Sequence, residues 1–210
     1  MLITVVRHAE SMGNAGLGGG ENPHLSPRGW EQAAHAAERL SRERVTHVWS
    51  SPFRRAIETA RMIAEGAGVA VVLQHEMCEH YIYDGFRTWR CPTGEAIVRE
   101  FPGVRLAADF PKGKWTPAWG ESWEAICART ARVAKRALAL GRRRARAGRQ
   151  THLVIVGHGA SVKAVLRSLS GLDIAQPEPY VNAGLSRVRA TDTLPGKVVF
   201  LNDAGHLAGM

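Results

Sequence analysis

The first apolar run of the chain ends in a fixed positive charge beside an imidazole. In MLITVVRHAES, strand-forming residues give way to Arg7 and His8. Adjacent residues of a pleated strand point to opposite faces, so this pair fits better where a strand ends and a loop begins. Both side chains can then converge on one anion, and we expect an anion-binding site at that strand end.

A second histidine stands in the same kind of position later in the chain. His158 lies between Gly157 and Gly159, after the apolar run HLVIV and before the helical pattern of SVKAVLRSLSG. The glycines permit close approach of the backbone, and the first turn of a helix offers free N–H groups to an anion. His158 and Gly159 are therefore candidates for the same site; the alternative is a purely structural histidine.

Two arginines open the helix that follows the second predicted strand. The segment VTHVWSSPFRRAIETARMIAEG reads as strand, turn and helix, with Arg54 and Arg55 in the first helical turn. The helix macrodipole disfavours cations at an N-terminus, so an arginine there needs a compensating anion. A bound phosphate would supply it, and so would a carboxylate from elsewhere in the fold.

Alternating strands and helices position these residues. Apolar runs followed by helical patterns predict an α/β fold: a three-layer α/β/α sandwich with a mainly parallel central sheet and an irregular or helical lid segment. The carboxyl ends of parallel strands share one crevice, so Arg7, His8, an arginine of the second unit and His158 are expected to meet there. Without a nearby carboxylate cluster, these side chains suit a phosphoryl group held by protein cations, with no metal.

The first helix is predicted to begin with Ser26 as its N-cap and Pro27 at its first position. Apolar residues then recur at helical spacing and predict its buried face: Trp30, Ala33, Ala34, Ala37 and Leu40. Trp30 is thereby assigned to the core and not to the site.

The composition is that of an ordinary globular protein. The 210 residues are 45% hydrophobic and 22% charged, and we expect a single domain over 1–210 with a lid insertion at about 80–120. The apolar start is too short for a signal peptide or a membrane span, so we expect a cytoplasmic protein without a membrane partner. The cysteines lack CxxC spacing and indicate neither a disulfide framework nor a zinc site: Cys78, Cys91 and Cys127.

The chain is strongly basic, with a net charge of +9 that points to anionic partners. Much of the excess lies in RTARVAKRALALGRRRARAGRQ, at the end of a long predicted helix, where the macrodipole favours cations. Aromatic residues are not interleaved with this charge, as a stacking platform for single strands requires. A solvated helix end is therefore favoured over nucleic-acid binding.

Four motifs in sequence resemble one known family. RHAESMGN, SSPFRRAIETA, GESW and VGHGASVKAV, between residue 7 and about 167, are similar to the histidine phosphatase superfamily in its phosphoglycerate mutase-like branch. The resemblance implies that His8 attacks phosphorus and becomes phosphohistidine. It also implies the side chains that hold the phosphoryl oxygens: Arg7, Asn14, Arg55 and His158. Arg54 is then expected to be exposed, and Ala9, where the family usually has glycine, must keep an ordinary backbone.

The resemblance further implies a carboxylic acid that protonates the leaving group. Gly159 follows His158 where the acid-phosphatase branch has aspartate, which excludes that branch. The mutase and small-phosphatase branch has a glutamate after the third strand, and VVLQHEMCEHYIYDGF offers Glu76 and Glu79. Glu79 fits the family's setting of an apolar residue two positions before the acid and aromatic and glycine residues after it. Glu76 is the alternative.

Together these features predict a phosphoric monoester hydrolase: a phosphatase of small phosphorylated molecules that needs neither metal nor cofactor. The alternatives are mutase-type phosphoryl transfer and a non-catalytic phospho-ligand binder; nucleic acid is not an expected partner. The lid, residues 84–122, carries aromatic and basic side chains that indicate either an anionic or ring-bearing substrate or a cap that packs its own aromatics: Phe86, Arg87, Trp89, Arg90, Lys112, Lys114 and Trp115. The sequence predicts neither the identity of the substrate nor the oligomeric state.

Overall fold

The fold is built around one sheet. The computed structural model describes residues 1–82, 84–174, 180–191 and 193–210. The strands, in chain order, are β1 (Leu2–Arg7), β2 (His47–Ser50), β3 (Val71–Leu73), β4 (Arg105–Leu106), β5 (His152–Gly157), β6 (Leu185–Arg189) and β7 (Lys197–Asp203). The α-helices are α1 (Pro27–Ser41), α2 (Arg54–Ala67), α3 (Gly94–Glu100), α4 (Trp123–Arg146) and α5 (Gly159–Ser170).

The sheet is parallel except at one edge. Its order is β4-β3-β2-β5-β1-β6-β7, and β1 to β5 run parallel to one another. β6 runs antiparallel to both β1 and β7, so β6 and β7 form a hairpin near the end of the chain. The mainly parallel sheet that the strand and helix pattern predicts is confirmed.

Apolar residues fill both faces of the sheet. In β5, Val154 and Val156 pack with α1 and α2 on one face, whereas Leu153 and Ile155 pack with α4 and α5 on the other. Every residue of β5 is buried, as expected for a central strand covered on both faces. The predicted three layers are therefore present.

The buried face of α1 differs from the predicted one. Trp30 is 43% exposed. The residues that turn inward are Gly29, Gln32, Ala33, Ala36 and Leu40. A Cβ at position 29 would lie 1.9 Å from the Glu10 carbonyl oxygen, so glycine is needed where α1 meets the loop after β1. This contact fixes the rotation of the helix and turns Trp30 toward solvent.

Within segment 80–120, the described residues are irregular and helical, as predicted, and part of them extends the sheet. β4 pairs with β3, and the apolar residues beside it join the core under α2: Ile97, Phe101, Val104 and Phe110. The ring of Phe53 contacts those of Tyr81, Phe86 and Trp89. The aromatic residues at the start of the segment thus pack largely with one another.

The structure also describes the basic helix end and the cysteines that were noted in the sequence. The last turn of α4 carries Arg143, Arg144 and Arg146 and is mostly exposed, as a solvated helix end would be. The three cysteines are free thiols. Within the described residues, no helix is long and apolar enough to cross a membrane.

Candidate active site

Three neighbouring strands end side by side and place polar residues next to one another. β2, β5 and β1 are adjacent in the sheet, and the residues that follow them are Ser51, His158 and His8. Backbone hydrogen bonds continue past the strand ends: His8 N donates to the Gly157 oxygen and Ser51 N to the Val156 oxygen, each at 2.9 Å. The centroids of the two imidazole rings are 5.0 Å apart.

The hydrogen bonds of His8 define its tautomer. Nδ1 donates to the Ala9 carbonyl oxygen at 2.7 Å, because a carbonyl can only accept. Nε2 therefore carries the lone pair, and Arg55 Nε donates to it at 3.2 Å. Burial, followed by the charges of Arg55 and Arg7, lowers the pKa of His8 well below its ordinary 6.5. The ring is held neutral, with Nε2 available as a nucleophile.

Ala9 keeps an ordinary backbone, as its side chain requires. Among the described non-glycine residues, only Ala183 and Asn202 have a positive φ. The Ala9 N–H donates to Thr59 Oγ1 at 3.1 Å, which ties the turn after β1 to α2. Alanine in place of the family's usual glycine therefore leaves this turn unstrained.

The two arginines at the start of α2 have different partners. Arg55 is 6% exposed, and besides its bond to His8 its Nη1 contacts the Glu21 carbonyl oxygen at 3.5 Å. Arg54 pairs instead with Glu100, with Nε 2.5 Å from Oε1. The Arg54 side chain is 38% exposed, and its partner is a surface carboxylate outside the site.

A serine at the neighbouring strand end orients His158. Its Nε2 lies 2.7 Å from Ser51 Oγ, which also accepts from Phe53 N at 3.3 Å. When the Ser51 hydroxyl donates to Nε2, the proton of the neutral ring is on Nδ1. Within the described residues Nδ1 is buried without a hydrogen-bond partner, and it lies 3.9 Å from Glu79 Oε2. Burial, then Arg55 and His8, lower the pKa of His158, which makes Nδ1 a neutral donor.

Glu79 lies at the edge of the site on a loop held by one arginine. Its side chain is 13% exposed, and Oε1 accepts from the His80 N–H at 2.8 Å. Arg129 of α4 donates to the carbonyl oxygens of Glu79 at 2.9 Å and Cys78 at 3.0 Å. Glu121 of the GESW motif fixes Arg129 in turn, with Oε1 2.6 Å from Nε.

Glu76, the alternative acid, faces α4 instead. Its side chain is 1% exposed, with Arg136 Nη2 2.5 Å from Oε2 and Arg132 Nε 3.4 Å from Oε1. Burial alone would raise the pKa of Glu76, but the hydrogen bond from Arg136 and the neighbouring positive charges lower it. Glu76 is thus an ion-paired carboxylate, which makes it a poor proton donor.

A cavity of about 360 Å³ connects these side chains. Its lining includes five predicted site residues: Arg7, His8, Asn14, Arg55 and Glu79. Asn14 Oδ1 accepts from Ser11 N at 3.2 Å and from Asn182 Nδ2 at 3.4 Å. His158 lies behind His8, and Gly159 begins α5, where a Cβ would meet nothing within 4 Å. Among the described residues, no three His, Cys, Asp or Glu side chains are grouped so as to hold a metal ion.

Several residues that shape the site were missed by the sequence reasoning. The Tyr180 carbonyl oxygen accepts from Arg7 Nη1, and Asn182 Nδ2 donates to the His8 carbonyl oxygen at 3.0 Å. Both lie in the C-terminal segment, for which no chemical role was predicted, and no local pattern marks them. Ser51 did carry a signal, since it follows a strand directly, as His8 and His158 do.

Several similar proteins are named as phosphatases. The chain is 29% identical over 174 residues to glucosyl-3-phosphoglycerate phosphatase of Mycolicibacterium vanbaalenii, covering 82% of this chain and 75% of that one. It is 29% identical over 183 residues to phosphoserine phosphatase 1 of Hydrogenobacter thermophilus, covering 83% and 78%. The native structure of mycobacterial glucosyl-3-phosphoglycerate phosphatase has the same fold, with a TM-score of 0.67 and 23% identity over 97% of this chain and 99% of that one. The predicted class of enzyme, a phosphoric monoester hydrolase, agrees with these relatives.

The family assignment rests on nearly the whole sequence. The model of the histidine phosphatase superfamily (branch 1) matches residues 3–203. This range contains all four motifs and every strand residue of the sheet except Leu2, the first residue of β1. The chain belongs to the histidine phosphatase superfamily (branch 1).

Proposed function

We propose that this protein hydrolyses small phosphomonoesters through a phosphohistidine on His8, without a metal ion. The observation that carries the proposal is the state of His8: a buried neutral ring whose Nε2 lone pair lies 3.2 Å from Arg55 Nε. A nucleophile beside a fixed cation, in a cavity that also holds a carboxyl group, has the parts that phosphoryl transfer needs.

In the first step, His8 Nε2 attacks phosphorus and the bond from phosphorus to the ester oxygen breaks. Protonated Glu79 gives its proton to the leaving oxygen, so that an alcohol departs. The charge on the phosphoryl oxygens is stabilised by Arg7 and Arg55, together with the Asn14 amide and His158 Nδ1–H. The backbone of Gly159, at the N-terminus of α5, is proposed to assist.

In the second step, water replaces the alcohol. The Glu79 carboxylate takes a proton from the water as its oxygen attacks phosphorus, and the P–N bond to His8 breaks. Phosphate leaves, and both His8 and Glu79 return to their starting protonation states. One carboxyl group thus serves as acid and then as base.

The substrate is proposed to be a small phosphorylated molecule in the cytoplasm. A cavity of about 360 Å³ accommodates a phosphoryl group and a leaving group of a few carbon atoms. The similar proteins are named for glucosyl-3-phosphoglycerate and phosphoserine, both small phosphorylated compounds. We propose no nucleic-acid partner.

Phosphate release in EDTA tests this function. Wild type should hydrolyse p-nitrophenyl phosphate and members of a phosphomonoester panel, whereas His8→Ala should not, and His35→Ala on the exposed side of α1 should behave as wild type. Quenching turnover with alkaline detergent should trap an acid-labile, base-stable phosphoprotein that is absent from His8→Ala. The panel should include 3-phosphoglycerate, because a mutase would isomerise this ester without releasing free phosphate. Activity retained by His8→Ala, or no turnover of any ester by wild type, would overturn the proposal.

A further inference from the structure

The cationic side chains of the cavity all lie at its phosphoryl end. Among the described residues, Arg7 and Arg55 are the only arginines or lysines that line it. Of the seven aromatic and basic lid residues expected near the leaving group, only Phe86 lines the cavity. Arg87 stacks on Trp119, with its guanidinium carbon 4.3 Å from the ring centroid. The leaving-group end therefore lacks the cations that its sequence suggested.

A carboxylate lies at this end instead. Glu21 lines the cavity, and a Cβ built on Gly85 would lie 2.8 Å from its Oε1 and 3.4 Å from its Cδ. The carboxylate thus rests against the backbone of Gly85, where the loop after β1 meets the short 3-10 turn Asp84–Phe86. No described arginine, lysine or histidine forms an ion pair with Glu21.

We infer that Glu21 selects substrates whose leaving group carries an ammonium or hydroxyl donors and no negative charge. The inference rests on the proposed function. An anionic leaving group would face the Glu21 carboxylate, whereas an ammonium or hydroxyl group would donate to Glu21 Oε atoms. For unit charges about 6 Å apart at an effective dielectric of about 40–80, Coulomb's law gives about a 3- to 10-fold preference.

A charge series of esters of nearly equal size tests the inference. The substrates are 2-aminoethyl phosphate, 2-hydroxyethyl phosphate and phosphoglycolate, which differ in one terminal group: ammonium, hydroxyl or carboxylate. In wild type, kcat/KM should be lowest for phosphoglycolate. Glu21→Gln should raise kcat/KM for phosphoglycolate and lower it for 2-aminoethyl phosphate, each about 3- to 10-fold, and leave 2-hydroxyethyl phosphate within about 2-fold. Glu31→Gln, an exposed substitution on α1, should change none of the ratios.

Calorimetric binding of the matching phosphonates keeps this test independent of turnover. Wild type should bind 2-aminoethylphosphonate most tightly, 2-hydroxyethylphosphonate less tightly and phosphonoacetate least tightly. Glu21→Gln should reduce these differences in affinity. Binding selectivity without hydrolysis of any ester would refute the proposed function and leave the role of Glu21 standing. The inference would be overturned if Glu21→Gln changed the affinities for all three ligands by the same factor, or if phosphonoacetate bound wild type most tightly.

Discussion

His8 must stay neutral within a site built to attract anions, and two features of its surroundings achieve this. Burial removes the water that would stabilise an imidazolium, and Arg55 and Arg7 oppose a further positive charge. In the proposed mechanism the same arginines therefore serve both phosphate binding and nucleophile activation. A lysine at either position would keep the charge but lose the planar fork that suits a phosphoryl group.

The titration of His8 gives the first prediction. Its ring should titrate below pH 6.5, because burial and the two arginines lower its pKa. Arg55→Gln should move the midpoint upward, since one opposing charge is removed while burial remains. NMR chemical shifts of the His8 ring, assigned by comparison with His8→Ala, measure this directly. A wild-type midpoint at or above 6.5, or a downward shift in Arg55→Gln, would contradict the electrostatic account.

The second prediction separates Glu79 from Glu76. Glu79→Gln should reduce kcat for alkyl phosphates about 10²–10⁴-fold with little effect on stability, because a partly exposed acid is replaced by an isosteric amide. Glu76→Gln should keep activity within a few-fold but destabilise the fold by about 1–3 kcal/mol, because its ion pairs involve partly exposed arginines. Steady-state kinetics and urea unfolding of both variants provide the comparison. The reverse pattern would assign the acid to Glu76.

The sequence could predict the proposed nucleophile more readily than the proposed acid. His8 and His158 each follow an apolar run, so strand ends alone bring them to one edge of the sheet. Glu76 and Glu79 occupy one short segment, and their roles diverge only because α4 presents arginines to the first and leaves the second beside the cavity. That information lies in a contact between distant parts of the chain, which local patterns do not contain.

At the scale of elements, α4 holds the loop that carries Glu79, the proposed acid, through Arg129. One guanidinium bonds to the carbonyl oxygens of Glu76, Cys78 and Glu79 and to the Glu121 carboxylate, so it fixes the loop that carries the acid. A buried guanidinium whose donors are all engaged is a rigid support. Glu121 of the GESW motif therefore lies outside the lining of the cavity, where it holds Arg129.

The third prediction tests Arg129 as a positioning residue. Arg129→Lys should lower kcat/KM for alkyl esters about 10- to 100-fold, because an ammonium cannot hold all of these acceptors and the acid is misplaced. The phosphorylation burst with p-nitrophenyl phosphate should change little, since p-nitrophenolate leaves without a proton. Arg132→Lys, one turn along on the same helix, is the matched control and should affect neither substrate. Equal losses on both substrates would show that Arg129 supports phosphate binding or folding instead.

Element types were predictable where the hydrophobic pattern was strong. The buried strands and the helices that follow them were found from their apolar residues, and the sandwich follows from their alternation. The buried face of α1 could not be predicted in this way, because alanines at positions 33, 34, 36 and 37 give several rotations of the helix a similar apolar pattern. Contact between Gly29 and the Glu10 carbonyl oxygen decides between those rotations.

Across the whole molecule, the excess positive charge and the site lie at opposite ends of β5. The arginine-rich end of α4 precedes His152, the first residue of the strand, whereas His158 follows its last. A six-residue strand spans about 20 Å, well beyond the Debye length of about 8 Å at physiological ionic strength. The net charge of +9 therefore says little about the leaving group, for which the lining of the cavity is the better guide.

The amino end of β5 carries the fourth prediction, which concerns the stability of the whole fold. Burial lowers the pKa of His152 from 6.5 to about 4. The charge of Arg187 adds to this shift, and the carboxylate of Glu43 opposes it. Between these values the unfolded chain binds a proton that the folded chain excludes. The stabilisation is complete above pH 6.5 and is lost as the pH falls toward 4, by up to about 3 kcal/mol.

Urea unfolding at pH 7 and pH 5 measures this linkage. His152→Gln should lose less stability between the two values than wild type, because the glutamine can still bond to Thr4 Oγ1 in place of His152 Nε2 but does not titrate. His35→Gln, on the exposed side of α1, should keep the wild-type dependence. If His152→Gln loses as much stability as wild type on acidification, the acid sensitivity of the fold arises elsewhere, and the two buried histidines of the active site become the next residues to examine.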